Sequence, residues 1–323
     1  MELSKQFNTG LILGKRETDY ILGASPIVKK EINTNWKDWK PEHEIQAKRY
    51  FDTVSCVSYS ATDVIEYIMT WALNNNQISP VDVKWLKDNG YFKNGLINFS
   101  DRFVAILGET TKAGAYQYKV GDAIRKYGLI PQDMLPTTDD IISFDEYIGA
   151  EITQEMLDLG KEFIKRFPIN YEWAFNIDAL KYAPIQVCVS YADGEGILCP
   201  TTKVNHAIVA INATDDYIEV DDSYQRQFKK YCHKAVYSMM LYTVKFNNMR
   251  LVKSSNSTNT TVFLIDALGN RRVFFNEKHF ASVAPALGLA KQGTPTDWSN
   301  VELLTEEEIN KFPLANPLYE VNG

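Results

Sequence analysis

Little in this sequence commits it to a metal, a membrane or a nucleic acid. Its 323 residues include four cysteines, Cys56, Cys188, Cys199 and Cys232. None forms a C-x-x-C pair, which argues against zinc-ribbon and thioredoxin-type sites. Four thiols in a chain this long do not suggest a disulfide scaffold, and the default for each is a small buried hydrophobe. No apolar run reaches the ~18 residues that span a bilayer. The N-terminus, MELSKQFNTGLILGKRE, has one four-residue apolar patch and does not read as a signal peptide. A cytoplasmic or virion-associated location is the default expectation. A net charge of −7 argues against nucleic acid and anionic membranes as partners. Internal repeats of useful length and nucleotide-binding glycine patterns are also missing.

What is present is ordinary for a globular protein: 45% hydrophobic and 23% charged residues. The length suits one large domain, or one plus a small one. The stretch 253–261, KSSNSTNTT, reads as a linker between a body, 1–252, and a small C-terminal module, 262–323. The module reads as strand (TVFLI), turn (DALGN), strand (RRVFF) and a short helix around HFASVAPALG. Thr305 and Glu308 then form a capping box in WSNVELLTEEEINKF. In the body, helices come first and strands later, which predicts an α+β fold. Val57, Ala61, Val64, Ile65, Ile68, Met69 and Ala72 share a helix face that ends near 74–76. Further helices are predicted over 115–127, stopping at Gly128, and over about 153–166. PIQVCVSYA, NHAIVAIN and YIEVDDSY read as strands.

Cys56 stands where the first helix begins. A thiol there feels the positive end of the helix dipole, which favours the thiolate. A nucleophile also needs a base, and the base an orienting group. Of the histidines, His43 and His233 lie in charged stretches that read as solvated, and His279 lies in the module. His206 opens a strand, and a second strand ends at Asp222. A hairpin turning at Thr214 places 206 opposite 222, with the carboxylate beside the imidazole. The alternative is a surface His–Asp pair with no thiol partner.

The stretch SCVSYSATDVIE resembles the nucleophile helix of papain-like cysteine peptidases, with Cys56, Tyr59, Ser60, Ala61 and Glu66 matching in order. NHAIVAIN resembles that family's histidine strand, and VDDSY stands where it has Asn-Ser-Trp. FSDRFVAILGETTKAGAYQYKVGDAIRKYGLIP resembles the middle of its left lobe, and ALKYAPIQVCVSYADG the strand before the histidine. The match covers roughly 36–245. The resemblance implies two lobes, helical on the left and β on the right, with the site in the cleft between them. It implies Cys56 as nucleophile, His206 as general base and later acid, and Asp222 as the orienting group. Gly114 and Ala115 would offer backbone groups to an extended peptide or protein substrate, Asn205 would do so from the other wall, and Tyr224 would shield Asp222. No metal or organic cofactor is implied. The implied reaction is peptide-bond hydrolysis through a thioester. The alternatives are a thiol amidase acting on cell-wall peptides, and an inactive papain-fold structural or binding protein such as a phage particle component.

Two departures stand out. Papain itself has asparagine where this chain has Asp222. The family's oxyanion-hole glutamine lies six residues before the cysteine, where this chain has Tyr50. Gln46 is ten residues before, and a longer loop would bring its amide to the same place; Tyr50 and Thr53 are the other options. Only 55 residues precede Cys56, so no separate inhibitory propeptide is expected. DT-x-x-C-V-S-Y-S gives the body the flavour of phage or bacterial relatives. The module resembles one found in bacterial surface and secreted proteins, which would imply a cell-surface or virion partner.

Overall fold

The computed structural model describes residues 10–16, 19, 21–23, 27, 29–32, 34–246, 249–256, 258, 261–266, 270–274, 277–287, 289–290 and 301–315. The chain divides into two compact units. One is built from the stretch up to Trp71 plus Asn89–Lys245, the other from Ala72–Asp88 plus the chain from Phe246 on.

The larger unit is α+β, helices first. A short strand β1, Leu11–Ile12, precedes helix α1, Cys56–Asn74. After α2, Pro80–Asp88, which belongs to the other unit, come β2, Phe92–Lys93, and β3, Leu96–Ile97. Helix α3, Asp101–Leu107, strand β4, Ala115–Tyr116, and helices α4, Gln117–Tyr127, α5, Phe144–Ile148, and α6, Gln154–Arg166, follow. The strands are β5, Ile169–Ala174; β6, Ile185–Val189; β7, Ile197–Leu198; β8, His206–Ala213; β9, Ile218–Asp221; β10, Phe228–Tyr231; and β11, Val236–Val244.

Local signals explain the helix limits. Ser100 and Thr153 cap α3 and α6 through their hydroxyls. Gly128 ends α4 at φ 75°, and a Cβ there would meet the Gly160 carbonyl oxygen at 1.8 Å. The helix expected over 115–127 begins two residues later, because Ala115 and Tyr116 form β4. The single apolar face expected for α1 is an understatement. The helix is buried almost all round, taking Ser58, Ser60, Thr62 and Glu66 inside with it. Its hydroxyls turn back onto the helix, Ser60 Oγ to the Cys56 carbonyl at 2.6 Å and Thr62 Oγ1 to that of Ser58 at 3.0 Å.

The sheet runs β5-β11-β6-β8-β9-β10-β7. A buried amide chain ties it to the helices. Gln186 on β6 donates to the Val57 carbonyl and to Ser60 Oγ, both at 2.8 Å, and accepts from Gln117 on α4 at 3.1 Å. This holds the start of α1 against β6, next to β8.

The C-terminal unit has its own sheet, β14-β13-β12-β15. Its strands are β12, Arg250–Ser254; β13, Val262–Ile265; β14, Arg271–Val273; and β15, Val301–Leu304. Its helices are α7, Glu277–Ala286, and α8, Glu306–Asn310. Lys253 pairs with Val262 and with Leu303. Lys253 and Ser254 therefore lie in β12, and the C-terminal stretch of this unit begins at Phe246. Leu251, Leu264, Phe274, Phe280, Ala284 and Leu289 form a core. Thr305 and Glu308 make the capping box. Residues 267–269 of the expected turn, Phe275, Gly288 and 298–300 of the expected motif lie outside the described residues.

Candidate active site

Cys56 is the first residue of α1 and has no exposed surface. Its Sγ accepts a hydrogen bond from the Ala207 N–H at 3.4 Å, so the thiol lies against the backbone of the histidine strand. The approach is sharp. Val54 holds φ 54°, a region that β-branched residues rarely enter. Asp52 steadies the bend by accepting the Val54 N–H at 2.8 Å. Burial pushes the Cys56 thiol well above its ordinary pKa, and the Ala207 N–H offsets only part of that.

His206 is the first residue of β8 and is equally buried. Its Nε2 is 2.8 Å from Asp222 Oδ1. An ionised carboxylate only accepts, so Nε2 carries the proton and Nδ1 presents a lone pair. Among the described residues Nδ1 has no hydrogen-bond partner. The route to this pair differs from the expected hairpin. Ala213 pairs with Ile218 and Val209 with Asp221, with an irregularity between Ala210 and Asn212. The turn therefore lies beyond Thr214, and 206 is not directly opposite 222. Asp222 has left β9, its N–H bonded to the Gln227 carbonyl at 2.8 Å, and its carboxylate reaches His206 diagonally.

Two rings cover the imidazole. Tyr224 lies 5.1 Å from it, tilted, and Tyr191 stands edge-on at 5.4 Å. The Tyr224 N–H adds a bond to Asp222 Oδ1 at 3.2 Å. Lys229 on β10 holds the other carboxylate oxygen, Nζ to Oδ2, at 2.8 Å. Burial alone would raise the Asp222 pKa. His206 and the Lys229 ammonium outweigh it and hold the carboxyl below the usual range.

Gln46 is buried beside these groups, but its amide is spent. Nε2 donates to Asp52 Oδ1 at 2.9 Å and to the Tyr224 hydroxyl at 3.0 Å, and Oε1 accepts from Ser223 Oγ at 2.7 Å. Both amide hydrogens are used, so in this arrangement Gln46 gives none to an oxyanion. Tyr50 is half exposed, and Thr53 is buried.

Gly114, Ala115 and Asn205 already hold an extended strand, which is the chain's own. Strand β1 pairs in parallel with β4, Leu11 opposite Ala115. The Ala115 N–H donates to the Gly10 carbonyl at 2.8 Å, and the Leu11 N–H to the Asn205 carbonyl at 3.3 Å. Contact is closest at two glycines. A Cβ on Gly10 would fall 1.5 Å from the Val54 carbonyl oxygen, and one on Gly114, at φ 101°, would fall 2.1 Å from Gly10. Arg16 anchors the strand downstream through Asp122 at 2.7 Å and Asp19 at 2.8 Å. No separate propeptide is expected from the sequence; it is residues 10–12 of this chain that lie along Ala115 and Asn205. The contact is non-local, and nothing in the residues before Cys56 announces it.

Several site residues escaped the sequence reading. Asp52 and Tyr191 lie in the stretches DT-x-x-C and ALKYAPIQVCVSYADG, but neither is singled out for a role there. His43, expected in solvent, is half-buried, and burial lowers its pKa. Lys229 sits in FKKY, where a strand's alternation sends one of two lysines inward; that period was the available signal. Cys199 and Cys232, expected as thiols, form a disulfide with Cα atoms 5.3 Å apart. It fastens the loop before His206 to the end of β10, where β7 pairs in parallel with Lys230 and Tyr231.

No protein-family model and no curated protein matches the chain. Among solved structures it is similar to xylellain, a cysteine protease from Xylella fastidiosa, at 11% identity and a TM-score of 0.48, covering 76% of this chain and 98% of that one. Digestive procathepsin L 3 of Tenebrio molitor gives 14% and 0.44, covering 73% and 76%. A cysteine protease from Carica candamarcensis gives 12% and 0.40, covering 65% and 97%. Likenesses this distant leave the chemistry to be argued from the side chains.

Proposed function

We propose that this chain is a papain-like cysteine peptidase, described here with its substrate cleft filled by its own residues 10–12. One observation carries the reading. A buried His206 has Nε2 committed to Asp222 and Nδ1 open, while its neighbour's N–H holds the Cys56 sulfur. In the reaction, Nδ1 takes the Cys56 proton and the thiolate attacks the peptide carbonyl carbon. The oxyanion accepts from the Cys56 N–H, which the helix start leaves without an intrahelical acceptor. Nδ1 returns the proton to the leaving amine as the C–N bond breaks. It then deprotonates the water that hydrolyses the thioester. Asp222 keeps the proton on Nε2 throughout and supports the imidazolium.

For this to happen, residues 10–12 must leave Ala115 and Asn205, whose backbone groups then take the substrate in their place. Removal of water-excluding chain also lets the thiol ionise, since burial is what raises its pKa. The test is hydrolysis of a mixed peptide library by Gly10→Val, whose side chain cannot occupy the space against Val54. Cleavage by Gly10→Val that disappears when Cys56→Ala is added supports the proposal. A folded Gly10→Val protein with an open site and no cleavage overturns it.

A second reading, a papain-fold protein without turnover, is favoured by the commitment of Gln46. Losing one oxyanion donor costs about 2.7–4 kcal/mol of transition-state stabilisation. Under that reading Gly10→Val binds peptides and does not cut them.

A further inference from the structure

Lys229 is an ammonium with no side-chain surface in water. Its Nζ meets Asp222 Oδ2 at 2.8 Å, the Ala192 carbonyl at 3.2 Å and Asp193 Oδ1 at 3.9 Å, and lies 4.5 Å from the Tyr191 ring centroid. A buried charge is retained only when it is paired, and this one is paired with the group that orients His206. The division of the carboxylate is clean. Oδ1 receives the His206 Nε2–H and the Tyr224 N–H, while Oδ2 receives Lys229.

A neutral amide at 222, as in papain, would orient His206 without bringing a charge. Asp222 brings a full negative charge into a closed site, where it would raise the proton affinity of the imidazole. Strand β10 supplies the opposite charge from the other side of the carboxylate. Other ionisable groups around the pair, among the described residues, include Cys56 and Asp63 on α1, His43 and Asp52 ahead of it, Asp221 beside Asp222, the Tyr191, Tyr224 and Tyr231 hydroxyls, and Asp193 with its partner Arg226 beyond Lys229. Among the described residues, Lys229 is the one lysine or arginine within ion-pair distance of Asp222.

We infer that Lys229 is a positioning residue of the site: it balances the charge of Asp222, so that the pair orients His206 as a single neutral amide would. This rests on the reading of His206 as the base. The readout is the His206 ring titration by NMR in the full chain, assigned with His206→Gln. It needs no turnover, so it survives a failure of the peptidase reading. A second readout, the pH profile of Cys56 labelling by a papain-directed epoxide, depends on that reading.

Lys229→Met should raise the His206 proton affinity about tenfold or more and move the alkaline limb of the labelling profile upward with it. Asp222→Asn alone leaves the buried ammonium with only the more distant Asp193 as a charge partner and should fold poorly. The double variant, Asp222→Asn with Lys229→Met, restores a neutral pair. It should bring the His206 titration back to within about threefold of the parent and label at least about tenfold faster than Asp222→Asn alone. A folded Lys229→Met protein with an unmoved His206 titration overturns the inference. So does a double variant whose losses multiply, or one that folds no better than the singles.

Discussion

The two walls of the site are built on opposite principles. On the helix wall, Cys56 sits at the start of α1 with no charged partner in hydrogen-bond contact, and burial keeps its thiol neutral. On the sheet wall, His206, Asp222 and Lys229 form a line of charge and hydrogen bonds that is almost entirely buried. The helix wall is held by packing and by the amides of Gln186 and Gln117, the sheet wall by ions. Under the proposed function, the nucleophile would be kept dormant by what covers it, and the base kept ready by what surrounds it. Uncovering should change Cys56 greatly and His206 little.

The largest effect should come from Gly10→Val. If the open form of the parent is a minor state of 0.1–10%, displacing the strand should raise the rate of Cys56 alkylation by about 10- to 1,000-fold. Stopped alkylation followed by mass spectrometry measures it. An unchanged rate would mean that β1 does not limit access.

Next in size is the disulfide, which braces only the sheet wall. Replacing Cys199 and Cys232 together by serine frees a loop of about 33 residues. It should cost about 3–4 kcal/mol of stability in denaturant titration. The same cost should appear in the parent under strong reductant, and a reductant-insensitive midpoint would contradict it.

The smallest effect separates the walls by pH. Asp222 is held below the usual carboxylate range, so its contribution is present above that range and lost as pH falls through the folded value. On α1 and α3 the sign reverses. Burial, then the Glu44 charge, pushes Glu66 and Asp101 well above the usual range. Their contribution is present below the ordinary carboxylate pKa and lost as pH rises through the folded values. Glu66→Gln keeps an acceptor for the Phe99 N–H, which Glu66 now takes at 2.7 Å. It should therefore stabilise the protein above neutral pH by about 1 kcal/mol, or a few degrees in Tm, and do nothing at pH 4. Equal Tm changes at both pH values would show that Glu66 is already ionised.

What the sequence discloses follows the same division. The start of α1 at Cys56 is legible because helix spacing is a local property of neighbouring residues. His206 and Asp222 are legible as a pair because a hairpin keeps them close in sequence, although the turn lies farther along than residue spacing alone suggests. Lys229 is harder to see, since an inward lysine looks like an outward one until its partner is placed. Gly10 and Leu11 are not legible at all: the partners of Gly10, Val54 and Ala115, and of Leu11, Asn205, lie 44 to 194 residues away. Arg250–Ser254 reads as the close of the body but pairs with β13 and β15, a long-range choice that composition does not encode.

The most direct test is intact-mass labelling with a papain-directed epoxide at pH 5 to 7, comparing Gly10→Val alone with Gly10→Val carrying Cys56→Ala or His206→Ala. The account predicts one adduct in Gly10→Val, none when Cys56 is removed, and a large loss when His206 is removed. Labelling that ignores His206, or that falls equally on Cys188, would contradict a thiol activated by the His206–Asp222 pair.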